Sequence, residues 1–121
     1  MEYIHITSKP VPYTVFCFAI HKNILFSGSE SVIGVWNADT LEYITTLKGH
    51  VWSVQCLTLS DNKLYAGSAD ETITVWNTDT YELITTMKGH TQPINCIALF
   101  ENKLFDFFFD YFLESTFGYF F

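Results

Sequence analysis

His50, Ser68 and Asp70 are the residue types of a hydrolytic triad: an imidazole base, a hydroxyl nucleophile and a carboxylate that orients the ring. Their context argues against that chemistry. The serine stands in Ala66-Gly67-Ser68-Ala69, without the Gly-x-Ser-x-Gly frame that holds a nucleophile on a strained strand-to-helix turn. The histidine recurs forty residues on as His90, and Trp36 recurs as Trp76 at the same interval. One active centre has no reason to follow such a grid, whereas a repeated structural unit does. A zinc site is the other chemistry to weigh, because Cys17, Cys56 and Cys96 accompany the histidines. They lie 39 and 40 residues apart with no Cys-x-x-Cys pair, so equivalent places in successive units keep them far from one another. Reduced, packed core thiols are the expectation, with no metal and no cofactor.

The elements that must position these residues are written in the repeat itself. Val35 to His50 returns as Val75 to His90 with twelve of sixteen positions identical. Within each unit, runs rich in β-branched and aromatic residues alternate with Asn, Asp, Ser and Gly corners, which predicts short antiparallel strands. The expected strands are Tyr13 to Ile20, Ile24 to Ser29, Val32 to Trp36 and Tyr43 to Leu47. The second unit has Trp52 to Leu59, Leu64 to Ser68, Thr72 to Asn77 and Leu83 to Met87, and a third begins with Ile94 to Leu99. Val54-Gln55-Cys56-Leu57-Thr58-Leu59 is apolar on both faces, as a sheet sandwiched between two others requires. From Gly67 to Trp76 there are nine steps and from Gly28 to Trp36 eight, so the first unit lacks one residue at its corner.

Composition narrows the role. A chain of 121 residues with 49% hydrophobic and 18% aromatic residues has ample material for a core. Thirteen acidic residues against six lysines and no arginine give a net charge of −7, which disfavours nucleic acid and anionic membrane as partners. Val15 to Ile20 imitates a short signal-peptide core, but Glu2 precedes it and the run recurs in later units. No apolar stretch reaches the ~18 to 20 residues of a spanning helix. The cytoplasm, or alternatively the nucleus, is the expected compartment.

Gly49-His50, a strand, and then Gly-Ser-Ala-Asp-Glu-Thr-Ile-Thr-Val-Trp-Asn from Gly67 to Asn77 resemble the WD-repeat β-propeller family, over roughly Tyr3 to Phe105. Trp36-Asn37 and Trp76-Asn77 stand where that family writes Trp-Asp. The resemblance implies an all-β fold, an incomplete β-propeller of about two to three four-stranded antiparallel blades. Each repeat would supply the outer strand of one blade and the inner three of the next. It also implies a structural tetrad of His50, Ser68, Asp70 and Trp76, in which the carboxylate accepts from histidine, histidine bonds the serine hydroxyl, and the hydroxyl takes the indole N–H. The first repeat keeps only Ser29 and Trp36 of that set, with Val11 for the histidine and Glu30 or Ser31 for the aspartate. The third keeps only His90.

The repeats are placed at about 10–48, 49–88 and 89–105, forming one array over 1–105. Residues 106–121 follow as a divergent phenylalanine-rich tail. On a helix, Asp106, Asp110 and Glu114 would form an acidic stripe opposite Phe107, Phe108, Phe112 and Leu113. A divergent outer segment or a foreign continuation of the repeat are the plainer readings of the same tail. Tyr13, Trp52 and Gln92 share one column at the start of the inner strand, and variation within a repeated column marks them as candidates for binding a protein or peptide partner. Packing between blades is the alternative role for Trp52. Propellers close with roughly four to eight blades. The count here is too small, which predicts a fragment of a larger propeller or a ring completed by self-association. The functional expectation is a non-enzymatic protein-interaction scaffold or adaptor. The alternatives are a remnant targeting domain of an enzyme, such as a kinase or a ubiquitin ligase subunit, and a protein held at membranes by its aromatic tail.

Overall fold

Two-residue hairpin loops and alternating apolar strands stack this chain into three antiparallel sheets among the described residues. The computed structural model describes residues 14–88, 93–94, 96–100, 103–107 and 117–120. The first sheet runs in sequence order through β1 (Cys17–His21), β2 (Ile24–Gly28), β3 (Val32–Asn37) and β4 (Tyr43–Lys48). The second repeats it with β5 (Val54–Ser60), β6 (Lys63–Ser68), β7 (Ile73–Asn77) and β8 (Leu83–Met87). The third is ordered β11-β10-β9, from β9 (Cys96–Phe100), β10 (Lys103–Phe107) and β11 (Phe117–Phe120). Trp52, expected at the head of a strand, lies instead in the bend before β5.

Turn chemistry repeats closely between the first two sheets. Lys22 (φ 56°) and Asp61 (φ 55°) open the hairpin loops of β1-β2 and β5-β6, and the left-handed residue matches the turn to the twist of its strands. At the other end Asn37 Oδ1 accepts from the Asp39 and Thr40 amides at 2.8 and 3.0 Å, and Asn77 does the same for Asp79 and Thr80 at 2.7 and 2.9 Å. These are the side-chain-to-backbone bonds that make asparagine a turn residue.

The second sheet buries one side against the first and the other against the third. Cys17, Ala19, Ile24, Phe26, Ile33 and Val35 of the first sheet meet Val54, Leu57, Leu59, Leu64, Ala66 and Trp76 of the second. Ile73, Cys56, Tyr65 and Met87 on the far side of the second sheet meet Ile94, Ile97, Leu99 and Leu104. Backbone bonds reinforce both junctions at the same period: Val54 N–H donates to Ser29 O at 2.8 Å, and Ile94 N–H to Ser68 O at 2.9 Å. Gly28 and Gly67 allow this approach. A Cβ at Gly28 would stand 2.9 Å from Val54 Cγ1, and one at Gly67 2.4 Å from Ile94 Cγ2. These two glycines therefore serve close packing between sheets rather than the corners alone.

At the carboxyl end, Asp106 and Phe107 are strand residues of β10, paired with Ile97 and Cys96. This corrects the helical reading there: the register with β9 continues past 105, and a ladder of backbone bonds outweighs a four-residue acidic spacing. Phe108, Asp110, Phe112, Leu113 and Glu114 lie outside the described residues. β11 occupies the place beside β10 where the tryptophan strand stands in the other two sheets. No helix among the described residues is long and apolar enough to cross a membrane.

Candidate functional site

The corner between β6 and β7 meets the loop between β4 and β5, and the sequence-predicted residues converge there. The side chains of His50 and Asp70 are only 1% and 8% exposed, with Nδ1 2.9 Å from Oδ2. The other imidazole nitrogen, Nε2, lies 2.8 Å from Thr74 Oγ1, and Trp76 Nε1–H donates to that same oxygen at 2.8 Å. A neutral imidazole carrying its proton on Nδ1 satisfies the whole chain: indole N–H to threonine oxygen, threonine O–H to Nε2, Nδ1–H to carboxylate.

Thr74, not Ser68, is thus the hydroxyl of the network. Ser68 Oγ donates instead toward Trp52 O at 3.2 Å and Ser53 O at 2.8 Å. The reason is geometric. Thr74 lies two residues before Trp76 on the same strand face, while Ser68 ends β6 at the corner, beside the backbone of the incoming loop. The alternating positions before the tryptophan carried the missed signal: a threonine at i−2 shares its side of the sheet. In the first sheet Ser29 likewise ties its corner, donating to Val32 O at 3.1 Å, and does not meet Trp36. Trp36 Nε1–H donates to Ser27 Oγ at 2.9 Å. His90, Tyr13 and Gln92 lie outside the described residues.

Asp70 organises the rest of the corner. Its Oδ2 also accepts the Val51 amide at 2.9 Å, and its Oδ1 the Thr72 amide at 3.0 Å and the Thr72 hydroxyl at 2.5 Å. Burial by itself would raise the carboxyl pKa, but the bonds from Thr72, the Val51 amide and His50 together hold it below the ordinary 3.8. Glu71 follows in the left-handed region at φ 71°. Ala69 N–H donates to Ser53 O at 2.9 Å. The segment Val51 to Ser53 is therefore clamped from below by Asp70, Ser68 and Ala69, while the Trp52 side chain remains 62% exposed and Val51 is exposed beside it.

This arrangement does not assemble a hydrolytic triad. Ser68 Oγ bonds main-chain carbonyls rather than His50, and the hydroxyl that does reach His50 belongs to a fully buried threonine. The Cys17 and Cys56 thiols are packed as well. Cys17 Sγ points at Val54 O at 3.5 Å, and burial, partly offset by the Gly28 backbone, pushes its pKa up to about 11. A thiol so far from ionising is a poor nucleophile. What the corner does is fix a loop and hold an aromatic side chain out from it.

Residues 41–77 match the family profile described as "WD domain, G-beta repeat". Among solved structures, the computationally designed Ika4 protein is similar at a TM-score of 0.74 and 27% identity, over 82% of this chain and 62% of that one. The structures described as U3-55K and as RRP9 WD40 repeats are each similar at a TM-score of 0.68 and 26% identity, over 77% of this chain and 30% of theirs. The chain thus spans 62% of the length of the first and 30% of the length of the other two. No curated protein sequence matches it.

Proposed function

We propose that this chain, whose residues 41–77 match a WD repeat, is a non-enzymatic scaffold that binds a protein or peptide through the Val51-Trp52 corner. Binding of protein partners is the general use of WD40 domains. One observation carries the reading for this chain: a large aromatic side chain stands 62% exposed on a loop whose backbone is fixed by Asp70 and Ser68. Tryptophan is the residue type most often found as an energetic anchor of interfaces, and a fixed loop has little conformational freedom left to lose on binding. Packing between sheets, the other role open to Trp52, does not suit a side chain so exposed.

The test is affinity purification of the tagged chain beside a Trp52→Ala variant. Partners retained by the parent and lost by the variant, with the melting temperature unchanged, are the expected result. An anchor of this kind weakens binding at least about thirtyfold when truncated. Identical partner sets would remove Trp52 from the proposal. The acidic charge and the packed thiols favour the cytoplasm or nucleus, where cysteines stay reduced. A fluorescent fusion found in a secretory compartment would overturn that assignment.

A further inference from the structure

We propose that the open side of the first sheet, centred on Phe18 and Ile20, is covered by the third sheet of a second copy of this chain, in a head-to-tail ring. The inference deepens the scaffold reading by naming what completes its framework, and it rests on that reading only for its use. The two sheets supply the argument. Phe18 and Ile20 hold the places in β1 that Leu57 and Leu59 hold in β5, 39 residues later. Leu57 and Leu59 are packed against the first sheet, whereas Phe18 and Ile20 are 47% and 64% exposed. Phe16, on the same side of the chain, is exposed as well.

The opposite end of the stack shows the complementary gap. Ala19 of β1 faces the second sheet and is packed against it. Ala98 holds the equivalent place in β9 and is exposed. The positions in register with Ala98 are 105 on β10 and 119 on β11, phenylalanine and tyrosine in the sequence. One end of the stack therefore carries the side that is always covered by a preceding sheet, and the other the side that always covers a following one. The junction between the first and second sheets shows what such a pair builds: an apolar layer closed by Val54 N–H to Ser29 O.

A contact between unlike patches is heterologous, and it yields a finite assembly only if the rotation closes. Three sheets among the described residues of each copy give six in a pair, inside the roughly four to eight that close a propeller. A dimer held by two identical junctions is the expected species. Two copies meeting front to front would instead set two phenylalanine and isoleucine faces together, a pairing found at neither junction within the chain.

Sedimentation velocity of the whole chain over a wide concentration range tests this, with Phe18→Asp, Ile20→Lys and, as an outer-strand control of similar exposure, Ile44→Asp. The expected result is a dimer for the parent and for Ile44→Asp. Phe18→Asp and Ile20→Lys should both be monomers, weakened at least about thirtyfold, with circular dichroism spectra like that of the control. A differently tagged Phe18→Asp chain should still be captured by the parent, because its third sheet is intact. A monomeric parent would overturn the proposal and leave the face to another segment or protein. A dimeric Phe18→Asp would also overturn it. Failure of Phe18→Asp to pair with the parent would overturn the head-to-tail assignment. Trp52→Ala should dimerise normally, so loss of partners and loss of dimer separate the two proposals.

Discussion

The first and second sheets share their strand order, their hairpin loops and the asparagine-capped turn after the tryptophan strand, yet they secure that tryptophan differently. In the second sheet the indole bonds Thr74, which lies opposite Ala66 on the neighbouring strand. In the first it bonds Ser27, which lies opposite Gly34. The hydroxyl has changed strands and its partner has become small in each case. A Cβ at Gly34 is already 2.7 Å from both Ser27 Oγ and Trp36 Nε1, so a threonine at 34 could not coexist with this arrangement. Cross-strand neighbours share one face, and either can deliver an oxygen to the same point under the indole. The requirement is for an acceptor at a place in space, not in a sequence column.

The corners differ in the same spirit. The first turns in two residues, Glu30 and Ser31, between the Ser29 amide and the Val32 carbonyl, 3.0 Å apart. The second has three, Ala69 to Glu71, closed by the Ser68 amide on Thr72 O at 3.1 Å, with Glu71 left-handed. That extra residue makes room for Asp70 to reach His50 and the Val51 amide. The second corner holds a neighbouring loop through the Asp70 and Ser68 side chains, whereas among the described residues the first offers the next sheet only the Ser29 carbonyl, which accepts from Val54 N–H.

The largest effect should come from Thr74→Val, which strands the indole N–H of Trp76 and Nε2 of His50 in a buried site and costs about 3 kcal/mol of stability in denaturant melts. Transplanting the first sheet's solution, Ala66→Ser with Thr74→Gly, should restore the indole acceptor but not the histidine contact, and should melt above Thr74→Val. If both variants melt like the parent, the network has no structural role. Asp70→Asn comes next, at about 2 kcal/mol, because one acceptor oxygen replaces a carboxylate that takes four bonds. Because the folded carboxyl is held below 3.8, its contribution is present above that value and is lost as pH falls from there through the lower folded pKa. The melting temperature of the parent should therefore drop below about pH 4, and Asp70→Asn should lack that share of the drop. The smallest effect is at Glu71, where Glu71→Gly relieves a left-handed side chain and should stabilise by about 0.5 kcal/mol. Glu30→Gly, at a corner with no left-handed residue, should destabilise by a similar amount.

Much of the fold was legible in the residues. Asn, Asp and Gly punctuation placed nine strands to within a few residues, because hairpin turns demand those side chains locally. The doubly apolar β5 announced a sheet covered on both sides. Less of the site was legible. His50 and Asp70 meet as the repeat implied, but the serine of Gly67-Ser68 was given a bond that Thr74 makes. The strand through Asp106 was hidden by a spacing that fits a helix equally well.

By itself, then, the sequence determined the period, the strands, the turns and the place of each tryptophan, all of which depend on neighbours a few residues away. Only the tertiary structure decided which hydroxyl meets each indole, which way Ser68 turns, why Gly28 and Gly67 carry no side chain, and that Trp52 stands in solvent. Those outcomes depend on where a second strand or sheet arrives, and a buried N–H is satisfied by whichever oxygen is within reach there.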